Sequence, residues 1–194
     1  MRTARRLALA LAIALGLTAL AWSAEKPPRP AQATIAGVPF VKQRGDWCGP
    51  AALACVLGFY GHADQTQPVI AKAIYLHHAR GTLNLDLMLY ARQLGHPAEG
   101  GRGDLDALRQ AVSEGCPVIA TVKLPRNELH YVVVYGYDDS TKILRMHTGF
   151  HAARAIKYAR FEADWKAASN WMLLIKPKPP PAPPADQSAT AAPG

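Results

Sequence analysis

QRGDWCGPAALACVLGFYG, residues 43–61, is the stretch that decides the reading of this chain. Cys48 stands directly before Gly49-Pro50, and proline is tolerated in a first helical turn because the N–H it lacks would have no intrahelical partner there. Leu53, Val56, Leu57 and Tyr60 follow at helical spacing, and Gly61 supplies a stop. The pattern predicts a helix that opens on a thiol. A helix N-terminus favours thiolate and so lowers a cysteine's pKa from its free value of about 8.5. Gln43 lies five residues upstream of Cys48, and far downstream His130 opens HYVVVYGYD (130–138), a β-branched and aromatic run that predicts a strand. A thiol, an imidazole to take its proton and donors aimed at a developing oxyanion are the parts of an acyl-transfer site. The candidate residues are Cys48 as nucleophile and His130 as base. Gln43 and the Cys48 backbone N–H are the candidate oxyanion donors.

The rest of the chain frames that constellation. Residues 35–41 (IAGVPFV) read as a short extended lead-in. Helices are predicted from near Pro68, over 85–94 with Asn84 as cap, and over 104–114, where Leu105, Leu108 and Val112 share a face. Asp46 is read as the cap of the Cys48 helix. Gly101 and Gly103 read as a flexible loop without a phosphate-binding pattern. Strands follow at 116–124, 130–138, 142–148 and 155–158, then a brief helix at 161–168 and a closing strand at 170–176. Helices first and a mostly antiparallel meander second make an α+β domain. No internal repeat is visible.

Residues 1–24 carry Arg2, Arg5 and Arg6, an apolar run and then small residues, the pattern of a secretory signal peptide. An uncleaved membrane anchor is the alternative. Residues 25–34 read as a linker and 177–194 (PKPPPAPPADQSATAAPG) as a disordered, Pro-rich tail. The expected location is the periplasm or the outside of the cell, with association to the cell envelope open. The formal charge is +8, and three arginines leave with the signal. Lysines and arginines are scattered rather than gathered in a stripe, which argues against nucleic-acid binding. Of the three cysteines, Cys48 and Cys55 sit two helical turns apart, too far to bridge. Cys55 and Cys116 are either a disulfide or two buried thiols. The adjacent His77 and His78 lack a carboxylate partner, and no metal or other cofactor is expected.

VPFVKQRGDWCGPAALACVLGFYG (38–61) together with HYVVVYGYD resembles the bacteriocin-processing, double-glycine-leader type of cysteine peptidase, within the papain-like group and in its exported, stand-alone form. The similarity extends through IYLHHARGTLNLDLMLYARQLGH (74–96) and KILRMHTGFHAARAIKYARFEADWKAASNWMLLI (142–175), and so covers roughly residues 35–176. It implies a papain-like fold over 35–176, with Cys48 as nucleophile, His130 as general base and Gln43 in the oxyanion hole. The implied partner is a peptide or protein substrate.

This sequence departs from the family pattern in two places. The family's orienting Asp or Asn falls here at about Met146-His147-Thr148, where neither residue stands. His147, Thr148, a water or a backbone carbonyl remain as the ring's holder, with Asp138 and Asp139 nearby at a turn. The Gln-to-Cys spacing is also one residue shorter than in many relatives. Leader-processing relatives are fused to an ABC transporter, and no such segment is fused in this chain, so the substrate stays open. Two other functions use the same Cys–His pair. One is a catalytically impaired peptide-binding domain, and the other is an amidase or transpeptidase acting on cell-wall peptides.

Overall fold

The β-branched runs of the C-terminal half pair into one sheet, as seen in a computed structural model that describes residues 28–180. The strands are β1 (Gln32–Thr34), β2 (Ala98–Arg102), β3 (Val118–Lys123), β4 (Leu129–Asp138), β5 (Ile143–His147), β6 (Arg154–Lys157) and β7 (Trp171–Ile175). Their order is β2-β7-β3-β4-β5-β6, with β1 beside the end of β4, and every pairing is antiparallel. The signal-peptide expectation (1–24) lies outside the described residues, as does the tail beyond residue 180. No helix among the described residues is long and apolar enough to cross a membrane.

Helices cover both faces of this sheet. On one face α1 (Cys48–Phe59), α2 (Gln67–Ile74) and α3 (Asn84–Gln93) contribute Leu53, Val56, Leu57, Ile70 and Leu87 to a core that includes Tyr131 and Val133. On the other, α4 (Leu105–Ser113) and α5 (Tyr158–Lys166) bring Leu108, Val112, Phe161 and Trp165 against Val132 and Val134. A strand packed on both sides needs apolar residues at successive positions, which is why β4 reads as an unbroken run rather than an alternation. α1 is buried nearly all round, from Gly49 to Leu57. Each fully buried Leu or Val there contributes about 2 kcal/mol relative to exposure. This architecture is the α+β, papain-like fold expected from the sequence.

Several local readings need correction. The glycine-rich loop around Gly101 is strand β2, paired with β7 from Ala98↔Ile175 to Arg102↔Trp171. The glycines permit close approach, since a Cβ on Gly100 would sit 3.2 Å from the Trp171 ring and one on Gly103 2.5 Å from the Met172 sulfur. Such a pairing is non-local, so strand propensity in 98–102 could not announce it. Part of the segment read as linker joins the sheet as β1, opposite Gly136–Asp138. Asp46 caps nothing: Trp47 is the N-cap of α1 without a side-chain bond, and Asp46 instead pairs with Arg80 at 2.8 Å. Asn84 is the first residue of α3 rather than its cap. Cys55 and Cys116 are free, buried thiols. The Val41 N–H donates to Cys55 Sγ at 3.3 Å, and Cys116 Sγ lies 3.2 Å from the Ile175 carbonyl oxygen.

Candidate active site

Cys48 is the first residue of α1, half-buried and free. The backbone amides of Tyr131, Gly49 and Cys48 itself favour the thiolate. Burial acts more strongly in the other direction and pushes the thiol's pKa up, with a further rise from the Asp46 carboxylate. The lowering expected from the helix N-terminus is therefore overridden, because a charge removed from water loses more than a few partial dipoles return.

His130 is the second residue of β4, next to Tyr131, whose backbone amide favours the Cys48 thiolate. Its Nε2 lies 2.6 Å from the Thr148 carbonyl oxygen. A carbonyl only accepts, so Nε2 carries the proton and Nδ1 is the basic nitrogen of the neutral ring. Burial lowers the imidazole's pKa, against smaller upward pulls from the Thr148 carbonyl and Glu128. Both shifts favour the neutral forms of thiol and imidazole, and no hydrogen bond joins the two side chains in this structure.

The place where an orienting Asp or Asn was sought is filled by main chain. Thr148 holds the ring through its carbonyl, while its hydroxyl accepts from the His151 N–H at 3.0 Å. His147 is engaged elsewhere: the Ala153 N–H donates to its Nδ1 at 3.1 Å, so its Nε2–H donates to the Val38 carbonyl at 3.1 Å. Both nitrogens of His147 are spent on backbone, although His147 shares the lining of a small cavity with Cys48, whereas His130 keeps Nδ1 without a hydrogen bond among the described residues. Asp138 closes a turn by accepting from the Ser140 and Thr141 N–H groups. Asp139 is bound by Arg29, Arg109 and Tyr158. Neither carboxylate serves His130.

Gln43 donates its side-chain N–H to the Gly45 carbonyl at 2.7 Å, while its Oε1 is buried without a partner. Its backbone N–H donates to the Gly149 carbonyl at 2.9 Å, and a Cβ on Gly149 would come 2.6 Å from Gln43 Oε1. Gly149, at φ +75°, is required on both counts. The segment 148–150 thus holds the candidate base through Thr148 and the candidate oxyanion arm through Gly149. The amide of Gln43 is turned into its own loop, with one hydrogen left to donate. Among the holders left open by the sequence, the structure selects a backbone carbonyl, that of Thr148. Sequence reasoning missed the Tyr131 backbone amide and Phe150, which stacks on the His130 ring at 5.1 Å and 8°. Only the glycine of Thr148-Gly149-Phe150 hinted at them. Asn84 was also missed: its Oδ1 accepts from the Tyr131 hydroxyl at 2.6 Å.

His77 and His78 are exposed, and no cluster of three or more His, Cys, Asp or Glu suited to a metal exists among the described residues.

The Peptidase C39-like family model matches residues 35–172. No curated protein matches the chain. Among solved structures, the peptidase domain of Streptococcus ComA, a bifunctional ABC transporter involved in quorum sensing, aligns with a TM-score of 0.61 at 22% identity, covering 72% of this chain and 98% of that one. A double-glycine motif protease from an AMS/PCAT transporter, solved with its leader peptide, aligns at 0.56 and 24% identity, over 75% and 98% of the two chains. Xylellain, a cysteine protease from Xylella fastidiosa, aligns at 0.53 and 15% identity, over 77% and 87%. These likenesses carry the fold, and the family match covers most of the described residues. The chain belongs to the Peptidase C39-like family and is, by family and fold, a cysteine peptidase.

Proposed function

We propose that this protein is an exported peptidase that cleaves peptide bonds through Cys48 and His130. The observation that carries the reading is the tautomer of His130: Nε2–H is tied to the Thr148 carbonyl at 2.6 Å, which leaves Nδ1 as base, next in sequence to Tyr131, whose backbone amide favours the Cys48 thiolate. As sulfur attacks the substrate carbonyl carbon, Nδ1 takes the thiol proton. The oxyanion is met by the Cys48 N–H and by the remaining Gln43 amide hydrogen, each worth about 3 kcal/mol of barrier if well aimed. His130 then protonates the departing amine, and water releases the acyl group from sulfur with the same histidine as base. The basic and apolar stretch at residues 1–24 supports export to the periplasm or beyond. The neighbour solved with a leader peptide supports a peptide substrate.

A carbonyl steadies an imidazolium less than a carboxylate does, so turnover is expected to be modest. The same observation favours the second reading, a peptide-binding domain with impaired chemistry. Purified protein incubated with unstructured polypeptides and with cell-wall peptide fragments separates the readings. Turnover that vanishes in Cys48→Ala supports the peptidase. Turnover that survives intact in that variant sinks it, and binding without turnover selects the second reading.

A further inference from the structure

Beside the Cys48–His130 site lies a cleft of about 850 Å³ that the chemistry above does not use. Its walls include Asn84 at the start of α3, Arg102 at the end of β2, Thr121 and Lys123 on β3, and Trp171 at the start of β7. Leu129, the residue before His130, also borders it. Asn84 links the cleft to the active site through its bond to the Tyr131 hydroxyl.

Three features of the cleft point to an anionic occupant. Arg102 and Lys123 both line it, and neither forms an ion pair among the described residues, although seven pairs occur elsewhere. Thr121, 4% exposed, carries a buried hydroxyl with no hydrogen-bond partner. Buried polar groups are almost always satisfied, so an orphan beside two free cations marks a place where a ligand completes the bonding. Trp171 offers a flat apolar wall, and Asn84 an amide. The rim is held by residues in the left-handed region, Asn127 at φ 68° and Ser169 at φ 63°. Such backbone conformations persist where surrounding structure enforces them, and they are common at ligand clamps.

We propose that the cleft bounded by Arg102, Thr121, Lys123 and Trp171 is a specificity subsite that binds a carboxylate of the peptide substrate. It rests on the peptidase reading for its ligand class, and it makes acidic peptides the preferred substrates. The guanidinium and the ammonium receive the anion, and the Thr121 hydroxyl donates to it. The carboxylate belongs either to an Asp or Glu side chain or to the peptide's C-terminus.

The test uses the mature chain carrying Cys48→Ala, so that binding is read without turnover. The probes are fluorescent eight-residue synthetic libraries with Glu or Gln at each position in turn, each made as free acid and as C-terminal amide. Retention of Glu over Gln by about tenfold assigns a side chain, and retention of acid over amide assigns the terminus. Lys123→Met and Arg102→Met should each reduce that preference severalfold. Thr121→Val, which keeps the shape, should weaken acidic-peptide binding with no loss of Tm. Equal retention of charged and neutral members, no retention of any, or a preference that survives both Met variants would overturn the subsite. Wild-type turnover without charge preference also overturns it. Acid-dependent binding without turnover leaves the subsite standing and removes the peptidase reading.

Discussion

Phe150 lies parallel to the His130 ring, at 8° and 5.1 Å between centroids, while 51% of its own surface stays exposed. It roofs the imidazole, which is itself only 4% exposed, and shields the bond from Nε2 to the Thr148 carbonyl. A hydrogen bond kept from water is stronger, and no carboxylate among the described residues is hydrogen-bonded to the ring.

Phe150→Ala is therefore expected to lower kcat by about tenfold while KM stays within about twofold, because the ring loses its fixed orientation rather than substrate contacts. Stability should fall by no more than about 1 kcal/mol, since the side chain is half exposed. Steady-state kinetics alongside a thermal melt will decide it. An unchanged kcat would remove Phe150 from any positioning role.

The pH profile follows from two opposed shifts. Burial raises the Cys48 thiol above its ordinary value and lowers the His130 imidazole below about 6.5. His130 loses its basic nitrogen only as pH falls through that lowered value, so kcat/KM should hold to a lower pH than a free imidazole would allow. Alkylation of free Cys48 by iodoacetamide should instead rise steadily above about pH 8 as thiolate forms. A reactive plateau extending below pH 6 would mean a resting thiolate–imidazolium pair and would refute the neutral assignment.

His147→Ala should cost about 2–3 kcal/mol of stability, because the Val38 carbonyl and the Ala153 N–H both lose a partner in a largely buried setting. Urea unfolding measures the loss. At temperatures where the variant is folded, the pH dependence of turnover should match the wild type, which a triad member would not allow.

Asp139 receives Arg29, Tyr158 and Arg109 at the edge of the sheet. Burial alone would raise its pKa, but these partners outweigh it and hold the carboxyl down to about 2. Against an unfolded value of about 3.9, the folded state is stabilised above about pH 4, and that contribution is lost as pH falls through 2. Solvent screening at this partly exposed cluster limits it to about 1 kcal/mol. Asp139→Asn should show that deficit in chemical denaturation at pH 7, and the two proteins should converge near pH 2. A constant gap across that range would assign the effect to geometry rather than charge.

The helix that opens on Cys48 and the strand that opens on His130 were legible because each is encoded locally. Pro50, the apolar spacing from Leu53 to Tyr60 and the run from Tyr131 to Tyr137 follow the periods of the elements they form. β2 was not legible, since its glycines carry no strand preference and its partner β7 lies about seventy residues away. The same limit governed the caps. Asp46 and Asn84 have the chemistry of capping residues, yet one pairs with Arg80 and the other with Tyr131, across the fold.

From the sequence alone came the chemical types at the site, a thiol at a helix start and an imidazole at a strand start, because side-chain identity and local periodicity are written residue by residue. Their protonation, the holder of the imidazole and the face that Gln43 presents were decided by the tertiary structure. Burial depth, and a main-chain carbonyl at Thr148 that any residue type would supply, leave no mark on sequence; they exist only once distant segments pack together.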